Sequence, residues 1–397
     1  MFQILNKAFI APVRDQKLSS LYAALVTGVL GFSFIDLFIV LSLVSFGLET
    51  LIIYFALRFF LANILFHPII TISHNSAGFY KTVIGFILLQ AIILIAFSIH
   101  NAPLLNPYYA AIFLAFAFTP YWHFYHLVMT HKTSDHNRGN EVSIANILTS
   151  LAAIGGNIIA GAFSDFNHDT PGQWTGTVII ILGSVMMGIM LLMVTKDKAN
   201  AGTSPSQSIQ VISRRLAQSL MRTFSTILFG AHQALTGFLL PVWLFLIGFS
   251  GIETGIILAG TIILNIILSP LLGYLINRNK VEDIRIGCLF KIMGWIPWLF
   301  IVEPFVFVWS LIFWSMGGHF HDTGVVSRWY AQRYNEDIAG REFCLGIGRI
   351  FASIAGAFLL FKFIGHYPAF GLSISILALA ASYLPDDKTL QMHKNQL

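Results

Sequence analysis

The stretch His131-Lys132-Thr133-Ser134-Asp135-His136-Asn137-Arg138-Gly139-Asn140-Glu141 is a short polar loop wedged between two long apolar runs. Half a chain later a related stretch follows, Gln332-Arg333-Tyr334-Asn335-Glu336-Asp337-Ile338-Ala339-Gly340-Arg341-Glu342. A shift of 201 positions lays Lys132 on Arg333, Asp135 on Glu336, Gly139 on Gly340 and Glu141 on Glu342. The same shift lays Gly155 on Gly356, and Pro68 and Pro270 recur at nearly the same distance. The chain therefore reads as one structural unit written twice.

Composition says where those units reside. Of 397 residues, 56% are hydrophobic and only 10% charged, with a mean hydropathy of +0.76. A soluble domain carries about 25% charged residues, so much of this surface must face lipid. The formal net charge of +5 does not point to nucleic acid. The basic residues sit in short loops between apolar runs rather than on one face or tail. Cys288 and Cys344 imply no disulfide framework. Met1 to Ser20 is polar and basic and lacks the features of a removed signal peptide; residues 1–18 are expected to lie on the membrane surface or to form a partly ordered tail.

Twelve apolar runs are long enough to cross a bilayer as helices, at 20–46, 49–73, 80–99, 105–130, 141–163, 173–195, 217–249, 252–276, 283–302, 305–330, 341–364 and 367–385. With both termini cytoplasmic, Lys7, Arg14, Lys17, Lys81, Lys132, Arg138, Lys196, Arg214, Arg278, Arg333 and Lys388 all fall inside, and Lys362 alone sits near the far side. That asymmetry supports an even count with both ends inside. A Gly-, Ser- and Pro-containing stretch at 196–216 reads as a flexible cytoplasmic linker. It divides the chain into an N-terminal bundle of six helices, 1–195, and a C-terminal bundle of six, 217–397.

Six plus six helices, a mid-chain linker and a polar loop that recurs after helices four and ten resemble the major facilitator superfamily. The family's loop signature, Gly-x-x-x-Asp-Arg-x-Gly-Arg-Arg, is matched in part by Gly273-Tyr274-Leu275-Ile276-Asn277-Arg278-Asn279-Lys280, with Asn277 in place of the Asp. In the first half, Ser73 to Lys81 keeps little beyond Gly78 and Lys81, so the family's charge-relay gate does not carry over. Arg138-Gly139 also looks like the family. The resemblance implies an all-α membrane protein with twelve transmembrane helices in two pseudo-symmetric six-helix bundles. It also implies gating loops around Arg138, Gly139, Gly273, Arg278 and Gly340, and a central cavity lined by helices one, four, seven and ten.

Each of those four helices carries an ionisable group well inside its span: Asp36 on helix one, His123 and His126 on helix four, His232 beside Gln233 on helix seven, and His319, His321 and Asp322 on helix ten. Arg58 and Arg349 add positive charge on helices two and eleven. Ionisable groups in a membrane face a cavity or a protein interior by default. Two chemistries fit them. Imidazoles near a carboxylate can take up and release protons at neutral pH, and Asp36, as a lone buried carboxylate, is expensive without a partner. Alternatively His123, His126, His319 and Asp322 can ligate a divalent transition metal. The plain alternative to both is hydrogen bonding within the bundle.

Catalysis is not expected. His126, His131, His136, His319 and His321 superficially resemble the histidine boxes of membrane di-iron desaturases, but no adjacent His-His pair exists. Phosphate loop, nucleophile elbow and CxxC are absent as well. The sequence reading is a secondary active transporter, proton-coupled, moving a small solute by alternating access. A transition-metal or metal-chelate carrier is the alternative, and a transporter-like sensor or assembly protein is the alternative of another class. No cofactor is expected; the partners are a small-molecule or ion substrate and the lipid bilayer, with no nucleic acid. A monomer in a bacterial inner membrane is the expected state.

Overall fold

The computed structural model describes residues 16–44, 46–72, 106–132, 138–169, 184–185, 188–189, 220–276, 280–300, 309–318, 320–321, 325 and 337–383. The linker, the helix expected at 80–99 and nearly all of that at 173–195 lie outside the described residues. Within them there is no β-strand.

The first half contributes α1 (Gln16–Val44), α2 (Leu48–Ile72), α3 (Pro107–Lys132) and α4 (Arg138–Asp169). The second contributes α5 (Leu220–Gln233), which continues through a π-helical turn (Ala234–Leu239) into α6 (Leu240–Leu246) as one rod. It is followed by α7 (Gly251–Ile276), α8 (Lys280–Trp295), α9 (309–318), α10 (Asp337–Lys362) and α11 (Tyr367–Ala381). The opening polar loop is shorter than expected, because Lys132 still belongs to α3 and Arg138 already belongs to α4. Among the described residues, six helices are long and apolar enough to cross a membrane. Pro68 and Pro120 lie inside α2 and α3, a placement that neighbouring helices make tolerable in a bilayer.

One helix, α10, exposes a stripe of large residues and buries small ones along its facing side. On α10, Phe343, Ile347, Phe351, Ile354 and Phe358 recur at helical spacing and are exposed. The facing side presents Gly348, Ala352, Ser353 and Ala357, all buried. Small residues let helix backbones approach closely where lipid removes the hydrophobic drive for association. A Cβ on Gly156 would meet Leu30 O and Ser33 Cβ of α1 at 2.8 Å. One on Gly348 would collide with the Ile227 carbonyl of α5, and one on Gly161 with the Gly251 carbonyl of α7.

The repeat read from the sequence has a geometric counterpart. Gly155 of α4 packs on Leu30 of α1, and its mate Gly356 of α10 packs on Leu239, on the rod built from α5 and α6. Glu141 and Glu342, the matched acids, are both buried in the first turns of α4 and α10. The two halves meet along α4–α7 and α2–α10.

Candidate functional site

A cavity of about 390 Å³ lies between the halves. Its wall takes Phe32, Ser33 and Asp36 from α1, Trp122 from α3 and Asn157 from α4. Across from them stand His232 of α5, Thr236, Gly237 and Phe238 of the π-turn, Leu258 and Ile262 of α7, and Trp314 and Ser315 of α9. The four helices named from the sequence all reach it. Most of the wall is apolar or aromatic, with a few hydrogen-bonding groups spread over both halves, the usual make-up of a small-molecule site.

The π-turn has a local cause. Pro241 has no N–H to give to the carbonyl four residues back, and its ring would press on that carbonyl. The helix widens instead, and the Leu240 N–H bonds Leu235 O, five residues back. This puts Thr236, Gly237 and Phe238 on the cavity wall. Such single π-turns inside α-helices are frequent at functional sites.

Asp36 is not the lone carboxylate that the sequence suggested. Arg58 of α2 grips it with both Nη atoms: Nη1 contacts Oδ1, and Nη2 donates to Oδ2 at 2.9 Å. Arg58 Nη1 also donates to Tyr54 Oη at 2.8 Å, and the Tyr54 hydroxyl reaches Asp36 Oδ1 at 3.5 Å. The guanidinium lies 4.9 Å from the Phe238 ring centre and 5.4 Å from that of Phe59. The Arg58 side chain is 2% exposed and that of Asp36 16%, so the carboxylate stands between a buried cation and the cavity.

A second network crosses between the halves. His126 Nε2 of α3 lies 3.2 Å from Glu342 Oε1 of α10. Arg341 Nη2 donates to the same oxygen at 3.0 Å, and Arg349 Nη1 lies 3.7 Å from Oε2. Arg349 also donates to Gln233 Oε1 of α5, through Nε at 3.1 Å and Nη2 at 2.7 Å. Glu342, Arg341 and His126 are all buried. Beside them, Asn63 of α2 reaches the Phe343 carbonyl at 3.5 Å.

At the opposite end of the molecule, Asp165 of α4 caps α7. Its Oδ1 accepts the Gly251 N–H at 2.7 Å and its Oδ2 the Ile252 N–H at 2.8 Å. Ser250 and Glu253 add a reciprocal capping box there.

Of the remaining candidates, His321 does not line the cavity. It turns to α8, where Lys291 Nζ donates to its Nδ1 at 3.0 Å beneath the Phe229 ring. His123 lies on α3, with its side chain outside the described residues, as are His319, Asp322 and Arg278. Arg138 and Gly139 open α4, Gly340 lies in the first turn of α10, and Gly273 lies in the last turns of α7. Among the described residues no group of three or more His, Cys, Asp or Glu side chains is placed to hold a metal ion. Glu342, Arg341, Lys291, Tyr54 and Asp165 were not singled out from the sequence. Glu342 carried a signal nonetheless: it is an acid inside an expected span and the repeat mate of Glu141.

A helical membrane protein whose two related halves enclose a cavity is thereby defined. The model of the Major Facilitator Superfamily matches residues 18–321, and the chain belongs to that family. Among curated proteins none matches the sequence significantly. Three solved structures share the fold. The human organic anion transporter MFSD10 (TETRAN) is 12% identical, with a TM-score of 0.64 over 92% of this chain and 98% of that one. The E. coli fucose:proton symporter FucP is 14% identical, with a TM-score of 0.63 over the same shares, 92% and 98%. A bacterial homologue of the iron transporter ferroportin, in its outward-facing state, is 15% identical, with a TM-score of 0.66 over 92% and 98%.

Proposed function

We propose that this chain is a proton-coupled secondary transporter that carries a small, largely apolar organic solute by alternating access. The observation that carries the reading is the Asp36–Arg58 pair, placed so that its carboxylate borders the cavity while its guanidinium is buried behind it. A proton arriving on Asp36 would neutralise the carboxylate and leave the Arg58 charge unmatched in a low-dielectric interior. Such a state is costly unless the helices around it rearrange. Proton uptake at Asp36 and the change of access are thereby linked. His232, on the other wall of the same cavity, is the second group in reach of solute or proton.

The solute's character follows from the wall. Phe32, Trp122, Phe238 and Trp314 offer rings, and Ser33, Asn157, Thr236 and Ser315 offer a few hydrogen bonds. By the charge asymmetry of the loops, the end that holds the His126–Glu342 bridge faces the cytoplasm.

The test is the melting point of the detergent-purified protein against metals, amino acids, sugars, organic acids and cationic drugs, at about pH 5.5 and 7.5. A ligand of the folded state raises the melting point by mass action. An organic solute whose shift changes with pH, and loses that change in Asp36→Asn, is the expected outcome. A shift given by Mn(II), Fe(II) or Zn(II) alone would refute this reading in favour of a metal carrier.

A further inference from the structure

The carbonyl groups around the π-turn do not all find backbone donors. In a π-helix each N–H reaches the carbonyl five residues back, and at the end of this run the Leu240 N–H serves Leu235 O. Position 241 is proline and has no N–H to give. The next helix, α6, opens with Leu239 as its N-cap, so Leu239 O takes the Trp243 N–H as the first α-helical bond. The carbonyls of Thr236, Gly237 and Phe238 then have only the Val242 N–H among them. At least two of the three are left without a backbone donor, a costly state for a group shielded from water. The Thr236 hydroxyl does not fill the gap, because it donates to His232 O at 2.9 Å.

All three residues line the cavity. Gly237 has no side chain to screen its backbone, and a Cβ built there would meet nothing within 4 Å. This part of the wall therefore offers lone pairs and no hydrogens. It also ends the α5 segment, where carbonyls carry partial negative charge. Phe32, Trp122 and Trp314 bring rings to the same cavity, and ring faces attract cations. A protonated primary amine matches such a wall: three donors, no acceptor and one positive charge. Asp36 is not needed to hold it, since both carboxylate oxygens are engaged by Arg58.

We infer that the solute carries a primary ammonium head on its apolar body, and that this head is seated on the backbone carbonyls of residues 236–238. The inference rests on the transport reading above and narrows its solute to one chemical class.

The test compares one body with four heads: phenylethylamine, its trimethylammonium analogue, phenylethanol and phenylpropionate. Binding to the detergent-purified full chain is measured by titration calorimetry at about pH 7.5. Phenylethylamine is expected to bind at least about tenfold more tightly than the trimethylammonium compound, which has the charge but no N–H to donate. It should also exceed the alcohol and the acid. Pro241→Ala returns an N–H to the turn, and should bring the two ammonium compounds within about threefold of each other by weakening phenylethylamine alone.

Equal affinities for the two ammonium compounds, or no binding of phenylethylamine at millimolar concentration, would overturn the subsite. So would a preference that survives Pro241→Ala; where that variant does not fold, the comparison in the parent decides alone. A melting point raised by sodium chloride over choline chloride, with no shift from phenylethylamine, would assign the carbonyls to an inorganic ion instead. Preference for the alcohol or the acid, with a pH-dependent shift that Asp36→Asn abolishes, would sink the ammonium head and leave proton-coupled transport intact. Ammonium binding that passes these tests in a protein moving no solute would do the reverse.

Discussion

Replacing Asp36 by Asn removes the counter-charge from a guanidinium that is 2% exposed. Breaking a buried pair by deleting one partner costs about 3–5 kcal/mol, because the other charge stays behind unmatched. The rings of Phe238, Phe59 and Tyr54 surround Arg58 in parent and variant alike, so they do not enter the difference. A destabilisation of about 3–5 kcal/mol is therefore expected from Asp36→Asn. Arg58→Met leaves instead a carboxylate that is 16% exposed toward the cavity. Water reaches that group, so the loss should be smaller, about 1–2 kcal/mol. The double variant carries no buried charge at this place and should recover most of the stability of the parent. The assay is equilibrium unfolding by SDS titration in mixed micelles, followed by tryptophan fluorescence. Equal losses in the two single variants, or a double variant as unstable as their sum, would refute the pairing argument.

Other positions give sharper, smaller tests. Asp165→Ala removes the acceptor of two backbone N–H groups at the start of α7 and should cost about 1–2 kcal/mol in the same titration. Asp165→Asn should retain part of that. Gly348→Leu drives a side chain into the Ile227 carbonyl and should abolish folded protein on size-exclusion chromatography. Phe351→Leu on the lipid side of the same helix should be accumulated normally. Lys291→Met should be tolerated better than His321→Leu, since the second leaves a buried ammonium facing an apolar group; melting points of the two variants decide the order.

The architecture was legible because lipid imposes length and polarity on each helix, and the repeat added a second constraint. The glycines that the shift matches, Gly155 and Gly356, each pack against the first described helix of their own half, at Leu30 and Leu239. Helix ends were less legible. Nothing in an apolar run says how far its helix continues into the aqueous layer, and α4 begins at Arg138, ahead of its apolar stretch. In the site, the choice of Asp36, His126, His232, Gln233, Arg58 and Arg349 rested on one argument, that charge inside a span must face something. What each one faces is a tertiary fact. Asp36 and Arg58 meet because α1 and α2 fold back on each other, and His126 and Glu342 meet across the two halves. His321 shows the limit of the same argument: it does not line the cavity and turns to Lys291 instead.

The most direct test of proton-coupled transport uses proteoliposomes loaded with a pH-sensitive dye and the solute that gives the largest pH-dependent melting shift. The account predicts that solute uptake moves protons with it. An imposed pH gradient should drive accumulation above the outside concentration, and Asp36→Asn should abolish that drive while solute binding remains measurable. Accumulation that stops at equal concentrations inside and out, and is indifferent to the gradient, would contradict it.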